Sequence, residues 1–213
     1  MAIRIADRVA DAAARSFVGR HDELATLRQA LSGDDRPAVL FLHGPGGIGK
    51  SRLLDAAESR GWTEAHVVRL DCGTIEPTAA GFLGGLGDEL GLERDAVSLD
   101  GIASTIGETA GSQVLVLDTY ESFGLLDSWL RREFVPQLPD STLVVLAGRE
   151  RPSPMWLLDP WGQLVENIEL GPLPQADAIE LLESSGRARN SAAHVIGFAR
   201  GDPLAAGRAA AAG

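Results

Sequence analysis

Short runs of apolar residues recur along the chain, separated by longer segments in which apolar positions repeat every three or four residues. The clearest runs lie within residues 38–42, 114–117 and 143–147, and weaker ones within 65–72 and 165–170. Continuous apolar runs are typical of parallel strands buried on both faces, whereas the wider spacing is typical of amphipathic helices. Their alternation predicts an α/β fold, a three-layer sandwich around a central parallel sheet of about five strands.

The pattern changes at Gly171. Pro172 and Pro174 form a stiff connector, and the remaining chain shows helical spacing only. About 40 residues are too few for an independent core, so they are expected to form a small helical lid. We therefore predict an N-terminal arm at 1–15, a main domain at 16–171 and a helical lid domain at 172–213 that is truncated at its alanine-rich end.

Residues 44–51 read GPGGIGKS and lie between an apolar run and a predicted helix. The spacing G-x-x-x-x-G-K-S in this strand–loop–helix context indicates the phosphate-binding loop of a P-loop NTPase. Its glycines let backbone N–H groups converge on an anion, and the helix beginning near Lys50 adds the positive end of its dipole. Lys50 would then bridge the terminal phosphates, and the Ser51 hydroxyl would bind Mg²⁺. The alternative is a glycine-rich turn with a chance lysine.

Lys50 is the only lysine in the chain, whose other basic side chains are all arginine. A compact ammonium group fits among phosphate oxygens where a planar guanidinium does not. The choice of lysine at this one position supports the phosphate-binding interpretation.

Acidic side chains follow the apolar run 114–117. Asp118 stands at the carboxyl end of that predicted strand, where a carboxylate across from Ser51 would complete a magnesium site; it could instead cap the next helix. Glu121 follows three residues later. It either polarises an attacking water or is an ordinary glutamate in the first turn of a helix.

Arg149 ends the next predicted strand, residues 141–149. An arginine at this strand end could reach a γ-phosphate, or it could pair with Glu150 or another carboxylate at the surface. Ligands bind at the carboxyl ends of parallel strands. The phosphate loop, Asp118 and Arg149 are therefore predicted to converge on one ligand.

The overall charge limits the partners of the chain. A formal charge of -11 and a pI near 4.8 argue against a nucleic-acid-binding surface, because the arginines form no basic run. No apolar stretch approaches the length of a membrane span, and charges interrupt the first 15 residues where a signal peptide would be uncharged. The single cysteine, Cys72, fits a reducing compartment. We expect a cytoplasmic protein that binds nucleotide, and neither membrane nor nucleic acid.

With these residues in view, the chain resembles the signal-transduction ATPases with numerous domains, the STAND class that includes the NB-ARC and NACHT groups. Four spaced motifs carry the resemblance over residues 16–213: FVGRHDEL at 17–24, GPGGIGKS at 44–51, VLVLDTYE at 114–121 with AGR at 147–149, and GDPLA at 201–205. The phosphate loop alone would specify only a P-loop NTPase. The first and last motifs make the resemblance specific.

The resemblance implies a regulatory switch that rests with ADP, exchanges it for ATP and, in the full-length protein, self-associates. It makes Val18, Gly19 and Arg20 candidate contacts of adenine, Arg149 a sensor arginine and Pro203 a lid residue packed against the nucleotide. Many related ATPases carry an acidic residue where this chain has Thr119, which implies slow hydrolysis. The alternative is a motor or loader ATPase of the AAA+ type.

The predicted site residues follow from these motifs. The expected cofactors are ATP or ADP with Mg²⁺, the metal being bound by Ser51 and Asp118. The expected catalytic residues are Lys50, Asp118, Glu121 and Arg149. The expected nucleotide contacts are Val18, Gly19, Arg20, Gly44, Pro45, Gly46, Gly47, Ile48, Gly49, Lys50, Ser51, Arg52 and Pro203.

Overall fold

A computed structural model describes residues 17–33 and 35–184 of the chain. These residues fall into two compact units. The sheet unit comprises residues 29–33, 35–43 and 62–169, and the loop unit comprises residues 17–28, 44–61 and 170–184. Within the described residues, no helix combines the length and apolar character needed to cross a bilayer.

The sheet unit is built on five parallel strands: β1 (Val39–His43), β2 (His66–Asp71), β3 (Gln113–Asp118), β4 (Thr142–Gly148) and β5 (Val165–Glu169). Their order in the sheet is β2-β3-β4-β1-β5. The central parallel sheet of five strands predicted from the apolar runs is confirmed. Each predicted strand agrees with an observed one to within one or two residues.

Burial along the strands explains their composition. Every residue of β1, β3 and β4, the three inner strands, is buried. The edge strands β2 and β5 are mostly half-buried or exposed, and they carry the polar residues. A strand covered on both faces needs a continuous apolar run, and an edge strand does not.

Two helices pack on one face of this sheet, α3 (Ala79–Leu90) and α4 (Leu99–Glu108). Each begins at a hydroxyl cap, because Thr78 accepts the Gly81 N–H and Ser98 accepts the Gly101 N–H, both at 3.0 Å. Their buried faces meet the sheet in one core. Its members from these helices and the strands are Phe82, Leu86, Ile102, Ile106, Val39, Phe41, Leu70, Leu115, Leu117, Val144 and Leu146.

The loop unit contains three helices: α1 (His21–Gln29), whose last residue falls in the sheet unit, α2 (Lys50–Arg60) and α5 (Gln175–Ser184). Leu24 and Leu27 of α1 and Leu53 and Leu54 of α2 are buried, as their helical spacing predicts. The predicted lid begins with α5. Its other predicted helices, and the GDPLA motif, lie outside the described residues.

Two connections in the sheet unit differ from a simple strand–helix alternation. After β3 the chain runs through short helical turns, Tyr120–Leu126, Asp127–Trp129, a π-helical turn Leu130–Phe134, and Val135–Gln137. After β4 the pattern predicts a short helix around Trp156 and Trp161, but the structure has two separate 3₁₀ turns, Pro154–Trp156 and Trp161–Gln163. Pro160 separates these turns, because proline cannot continue a helix that precedes it.

Candidate functional site

The loop at residues 44–49 makes its turns at three glycines in the loop unit. Gly44, Gly47 and Gly49 have φ values of 155°, 82° and 106°. A Cβ atom on Gly44 would lie only 2.5 Å from the Leu170 carbonyl oxygen, so no other residue fits there. Helix α2 begins immediately after Gly49, and the positive end of its dipole therefore adjoins the loop.

The side chain of Lys50 lies across this loop. Its Nζ donates hydrogen bonds to the carbonyl oxygens of Gly44, at 2.7 Å, and Pro45, at 3.2 Å. These contacts hold the ammonium charge over the backbone of the loop. Ser51 follows in the first turn of α2, with an exposed position.

An apolar pocket lies in the same unit and combines residues from three segments of the chain. It is lined by Phe17, Val18, Arg20, Ile48, Gly49, Arg52, Leu173 and Leu181. The walls are mostly aliphatic and aromatic, with two arginines among them. Such walls suit a planar aromatic ring, because apolar contact and guanidinium stacking both favour one.

The turn at Gly19 and Arg20 shapes one wall of this pocket. Both residues have left-handed φ values, 71° and 57°. A Cβ on Gly19 would lie 2.4 Å from Asp177 Oδ2. The Arg20 guanidinium donates to Glu23 Oε1 at 2.9 Å and to the Gly171 carbonyl oxygen. These bonds offset the roughly 1–2 kcal/mol cost of a left-handed arginine and tie the segment to residue 171.

The sheet unit presents its predicted acidic residues at the carboxyl ends of its strands. Asp118 ends β3 and is nearly buried. Its Oδ1 accepts the Thr119 N–H at 2.9 Å, and its Oδ2 lies 2.6 Å from Nη2 of Arg69, a residue of β2. Arg69 carries no signal in the sequence, because an arginine inside an edge strand looks like a solvent-facing residue.

Glu121 and Arg149 form a second ion pair at these strand ends. Arg149 Nε lies 3.0 Å from Glu121 Oε1, and the Arg149 backbone N–H donates to Oε2 at 3.1 Å. The Arg149 side chain is 68% exposed and that of Glu121 22%. The carboxylate bound by Arg149 is therefore Glu121, from the turn after β3.

Asp127 braces the two segments that carry Glu121 and Arg149. Its Oδ1 accepts the Tyr120 hydroxyl at 2.8 Å and the Trp156 indole N–H at 2.7 Å, and its Oδ2 accepts the Ser153 hydroxyl at 2.9 Å. Trp156 is fully buried. One carboxylate thus joins the turn after β3 to the loop after β4.

The predicted metal ligands, Ser51 and Asp118, suit magnesium better than they suit a metal ion whose ligands all come from the protein. Among the described residues, no group of three or more His, Cys, Asp or Glu side chains could hold a metal ion. Asp118 of the sheet unit carries a carboxylate and Ser51 of the loop unit carries a hydroxyl. Mg²⁺ usually takes one or two protein oxygens and completes its shell with phosphate and water, so each of these groups is of a kind that magnesium binds.

Two weak acids lie buried beside the strand ends. Burial, reinforced by the charges of Asp71 and Asp118, raises the pKa of the Cys72 thiol from its ordinary value near 9 to about 12. Burial also raises the pKa of Tyr120, with the charge and hydrogen bond of Asp127 adding to the effect. Both groups therefore stay protonated in the folded protein well into the alkaline range.

The free energy of unfolding is expected to be level to about pH 8 and to fall above about pH 9, because Cys72 and Tyr120 ionise in the unfolded chain but keep their protons when folded. Each group lowers stability by about 1.4 kcal/mol per pH unit above its unfolded pKa. The chain has one cysteine, one tyrosine and one lysine, so few other groups titrate between pH 8 and 10.5. Urea titrations between pH 7 and 10.5 measure the slope. Tyr120→Phe should reduce it above about pH 10, and an unaltered slope would contradict the assignment.

The structure gathers the predicted residues into two groups, one in each unit. Val18, Arg20, Ile48, Gly49 and Arg52 share the apolar pocket of the loop unit, and Lys50 begins the adjoining helix α2. Asp118, Glu121 and Arg149 lie at or just beyond the carboxyl ends of β3 and β4 in the sheet unit. Pro203 lies outside the described residues. The convergence of the two groups on one ligand stays a prediction.

Several solved structures share this fold. ORC2 of Aeropyrum pernix, solved with ADPNP and ADP, has a TM-score of 0.63 at 14% identity, covering 96% of this chain and 60% of that one. Cdc6p of Pyrobaculum aerophilum has a TM-score of 0.63 at 18% identity, with 95% and 65% covered. The RuvB Holliday junction branch migration motor of Thermotoga maritima has a TM-score of 0.55 at 16% identity, with 92% and 61% covered.

These identities establish the shared fold only, and the chain spans about three fifths of the length of these structures. No curated protein matches the chain. The sequence pattern of the AAA ATPase domain, however, matches residues 16–196. Because this match covers most of the chain, the protein belongs to the AAA ATPase domain family.

Proposed function

We propose that this chain is the nucleotide-binding module of an AAA+-type ATPase, which holds ATP or ADP with Mg²⁺ and hydrolyses the triphosphate. The observation that carries this proposal is the apolar pocket beside the glycine loop. It is shared by Val18 and Arg20 of the first motif and by Ile48 and Gly49 of the loop. If the aromatic base of a nucleotide occupied that pocket, the phosphates of the nucleotide would lie against the loop and Lys50.

Each predicted residue then has a distinct role. Lys50 and the loop N–H groups bind the β- and γ-phosphates, and Ser51 and Asp118 bind the magnesium ion, which neutralises charge on the phosphates. Glu121 orients and polarises the attacking water. Arg149, one residue beyond β4, binds the γ-phosphate and so distinguishes ATP from ADP.

The Glu121–Arg149 ion pair favours a second candidate, the regulatory switch of the STAND class. A glutamate whose two oxygens are both held by Arg149 is poorly disposed to activate water until that pair opens. Thr119 adds no second carboxylate. Slow hydrolysis suits a switch that dwells in one nucleotide state, whereas a motor needs rapid turnover.

Three further features belong to the same proposal. The predicted helical lid at 172–213, in which Pro203 would pack on the nucleotide, extends beyond the described residues, and we propose that the full-length protein self-associates in its ATP state. Nucleic acid is not a partner of this segment, because its charge is -11 and acidic side chains outnumber basic ones. The nucleotide contacts of the lid must differ between its two positions for it to act as a switch.

The nucleotide bound during purification distinguishes the two candidates. We expect acid release followed by chromatography to yield ADP, and steady-state turnover to be slow and independent of protein concentration, if the chain is a switch. Turnover that rises steeply with concentration, together with little retained ADP, indicates the AAA+ motor.

Two variants assign the turnover to this site. Asp118→Asn is expected to lose magnesium-dependent hydrolysis, while Asp140→Asn, which changes an exposed aspartate paired with Arg36, should keep it. Absence of adenine nucleotide binding in the unmodified chain would refute the proposed function.

A further inference from the structure

Arg69 in β2 contacts the carboxylate of Asp118 in the neighbouring strand β3. Its Nη2 lies 2.6 Å from Asp118 Oδ2. The strand register pairs Arg69 with Val116 and Asp71 with Asp118, so the arginine reaches forward along the sheet toward its carboxyl end. Paired residues of adjacent strands share a face, and Arg69 and Asp71 are two residues apart. Arg69 therefore lies on the sheet face that carries Asp118.

Three carboxylates crowd this end of the sheet: Asp71, Asp118 and Glu121. Asp71 accepts the Gly73 N–H at 2.9 Å. Glu121 pairs with Arg149 at 3.0 Å, and Asp118 pairs with Arg69. The two acidic residues assigned to the reaction, Asp118 and Glu121, are thus each paired with a different arginine. One arginine lies in β2 and the other lies one residue beyond β4, and both strands are neighbours of β3.

The contact with Arg69 bears directly on cation binding at Asp118. Both carboxylate oxygens already accept a hydrogen bond, from the Thr119 N–H and from Arg69. A carboxylate has lone pairs for a metal as well, but a guanidinium on Oδ2 puts positive charge beside any cation bound there. The side chains of Arg69 and Asp118 are only 27% and 12% exposed, so water screens this repulsion incompletely.

We propose that Arg69 is a positioning residue that competes with the divalent metal for Asp118 and thereby sets the magnesium concentration at which nucleotide binds tightly. This inference rests on the proposed function, in which Asp118 is a ligand of magnesium. Without metal, the guanidinium holds the carboxylate in place. Because coupling is reciprocal, Arg69 weakens metal binding by the factor by which the metal weakens the ion pair.

Calorimetry tests whether Arg69 competes with the metal. The dissociation constant of ADP is measured once in EDTA and once in saturating MgCl₂, and the ratio of these two constants gives the affinity gained from magnesium. Arg69→Met removes the charge and keeps much of the side-chain volume, and it should raise the affinity gained from magnesium by about tenfold. Arg36→Met is the matched control, since Arg36 has a similar exposure of 25% and pairs with Asp140, 3.2 Å away. It should leave the ratio at the wild-type value.

Thermal unfolding supplies a readout that does not depend on turnover. Without nucleotide and in EDTA, Arg69→Met should unfold at a lower temperature than the wild type, because Asp118 has lost the positive charge beside Oδ2. Magnesium with ADP should then raise its unfolding temperature by more than it raises that of the wild type. If Arg69→Met does not fold, Arg69→Gln allows the same comparisons and should change both quantities in the same direction.

The outcomes separate this inference from the proposed function. A wild type that gains affinity from magnesium, with an Arg69→Met ratio that is unchanged or lower, overturns the competition and leaves the proposed function standing. A wild type that binds ADP equally well with and without magnesium overturns the role of Asp118 as a metal ligand, and this inference with it.

Discussion

Lys50→Ala is expected to weaken ATP binding by about 2–4 kcal/mol, which raises the Kd by roughly 30- to 900-fold. The ammonium lies over the glycine loop, 2.7 Å from the Gly44 carbonyl oxygen, and is the only lysine charge of the chain. The substitution would remove the cation that we propose binds the terminal phosphates. Calorimetry with a slowly hydrolysed ATP analogue measures the effect. Adenosine, which has no phosphate, should bind both proteins equally.

Two variants separate the position of the charge from its mere presence. Lys50→Arg keeps the charge but should also bind weakly, because a planar guanidinium does not replace an ammonium among phosphate oxygens. Arg28→Ala removes one exposed positive charge from the same unit, where Arg28 donates to the Arg60 carbonyl oxygen, and should bind normally. Unchanged affinity in Lys50→Ala would refute the phosphate-binding role of the loop.

Asp127→Ala is expected to lower the free energy of unfolding by about 3–5 kcal/mol. The substitution removes the acceptor of three hydrogen bonds, from Tyr120, Ser153 and Trp156. Tyr120 and Trp156 are 9% and 0% exposed, so neither donor can readily turn to solvent. Hydrogen bonds to a charged group are worth about 1.5–3 kcal/mol each, and the sum is reduced because the three share one carboxylate. Urea unfolding measures the loss.

Asp127→Asn and Asp140→Ala calibrate this result. Asparagine keeps one acceptor oxygen, so we expect a smaller loss, about 1–2 kcal/mol. Asp140 is exposed and makes a single surface ion pair with Arg36, so Asp140→Ala should change stability by less than about 0.5 kcal/mol. If the free energy of unfolding of Asp127→Ala were within about 1 kcal/mol of the wild-type value, the hydrogen bonds of Asp127 would not hold the turn after β3 to the loop after β4.

Local patterns were sufficient to predict the sheet and the glycine loop. Strands buried on both faces need continuous apolar runs, and β1, β3 and β4 have them. The loop is specified by glycines at fixed spacing and one lysine, and glycine readily adopts the positive φ values that the loop shows at three of them. Each strand, like the loop, is encoded by a stretch of about ten consecutive residues or fewer, so no knowledge of distant contacts is needed to predict it.

The contacts around the acidic residues could not be predicted in this way. Arg69 and Asp118 are 49 positions apart, and Glu121 and Arg149 are 28 apart. Each pair depends on which strands are neighbours and on the register between them. Arg20 likewise donates a hydrogen bond to the carbonyl oxygen of Gly171, which is 151 positions away. The motif around Arg20 predicts a nucleotide contact for this residue and gives no indication of the bond to Gly171. The helical turns after β3 carry too little periodicity in too few residues to be recognised.

The order of the strands has a consequence for biosynthesis. The strand that leads into the glycine loop pairs with no early neighbour: Val39 lies opposite Val144 of β4 and Val165 of β5. More than roughly 100 residues must therefore leave the ribosome before β1 gains either partner, and such long loop closures slow folding. A nascent chain that stops short of residue 169 lacks a complete β5 beside β1, so the full pairing of β1 is reached only late in synthesis.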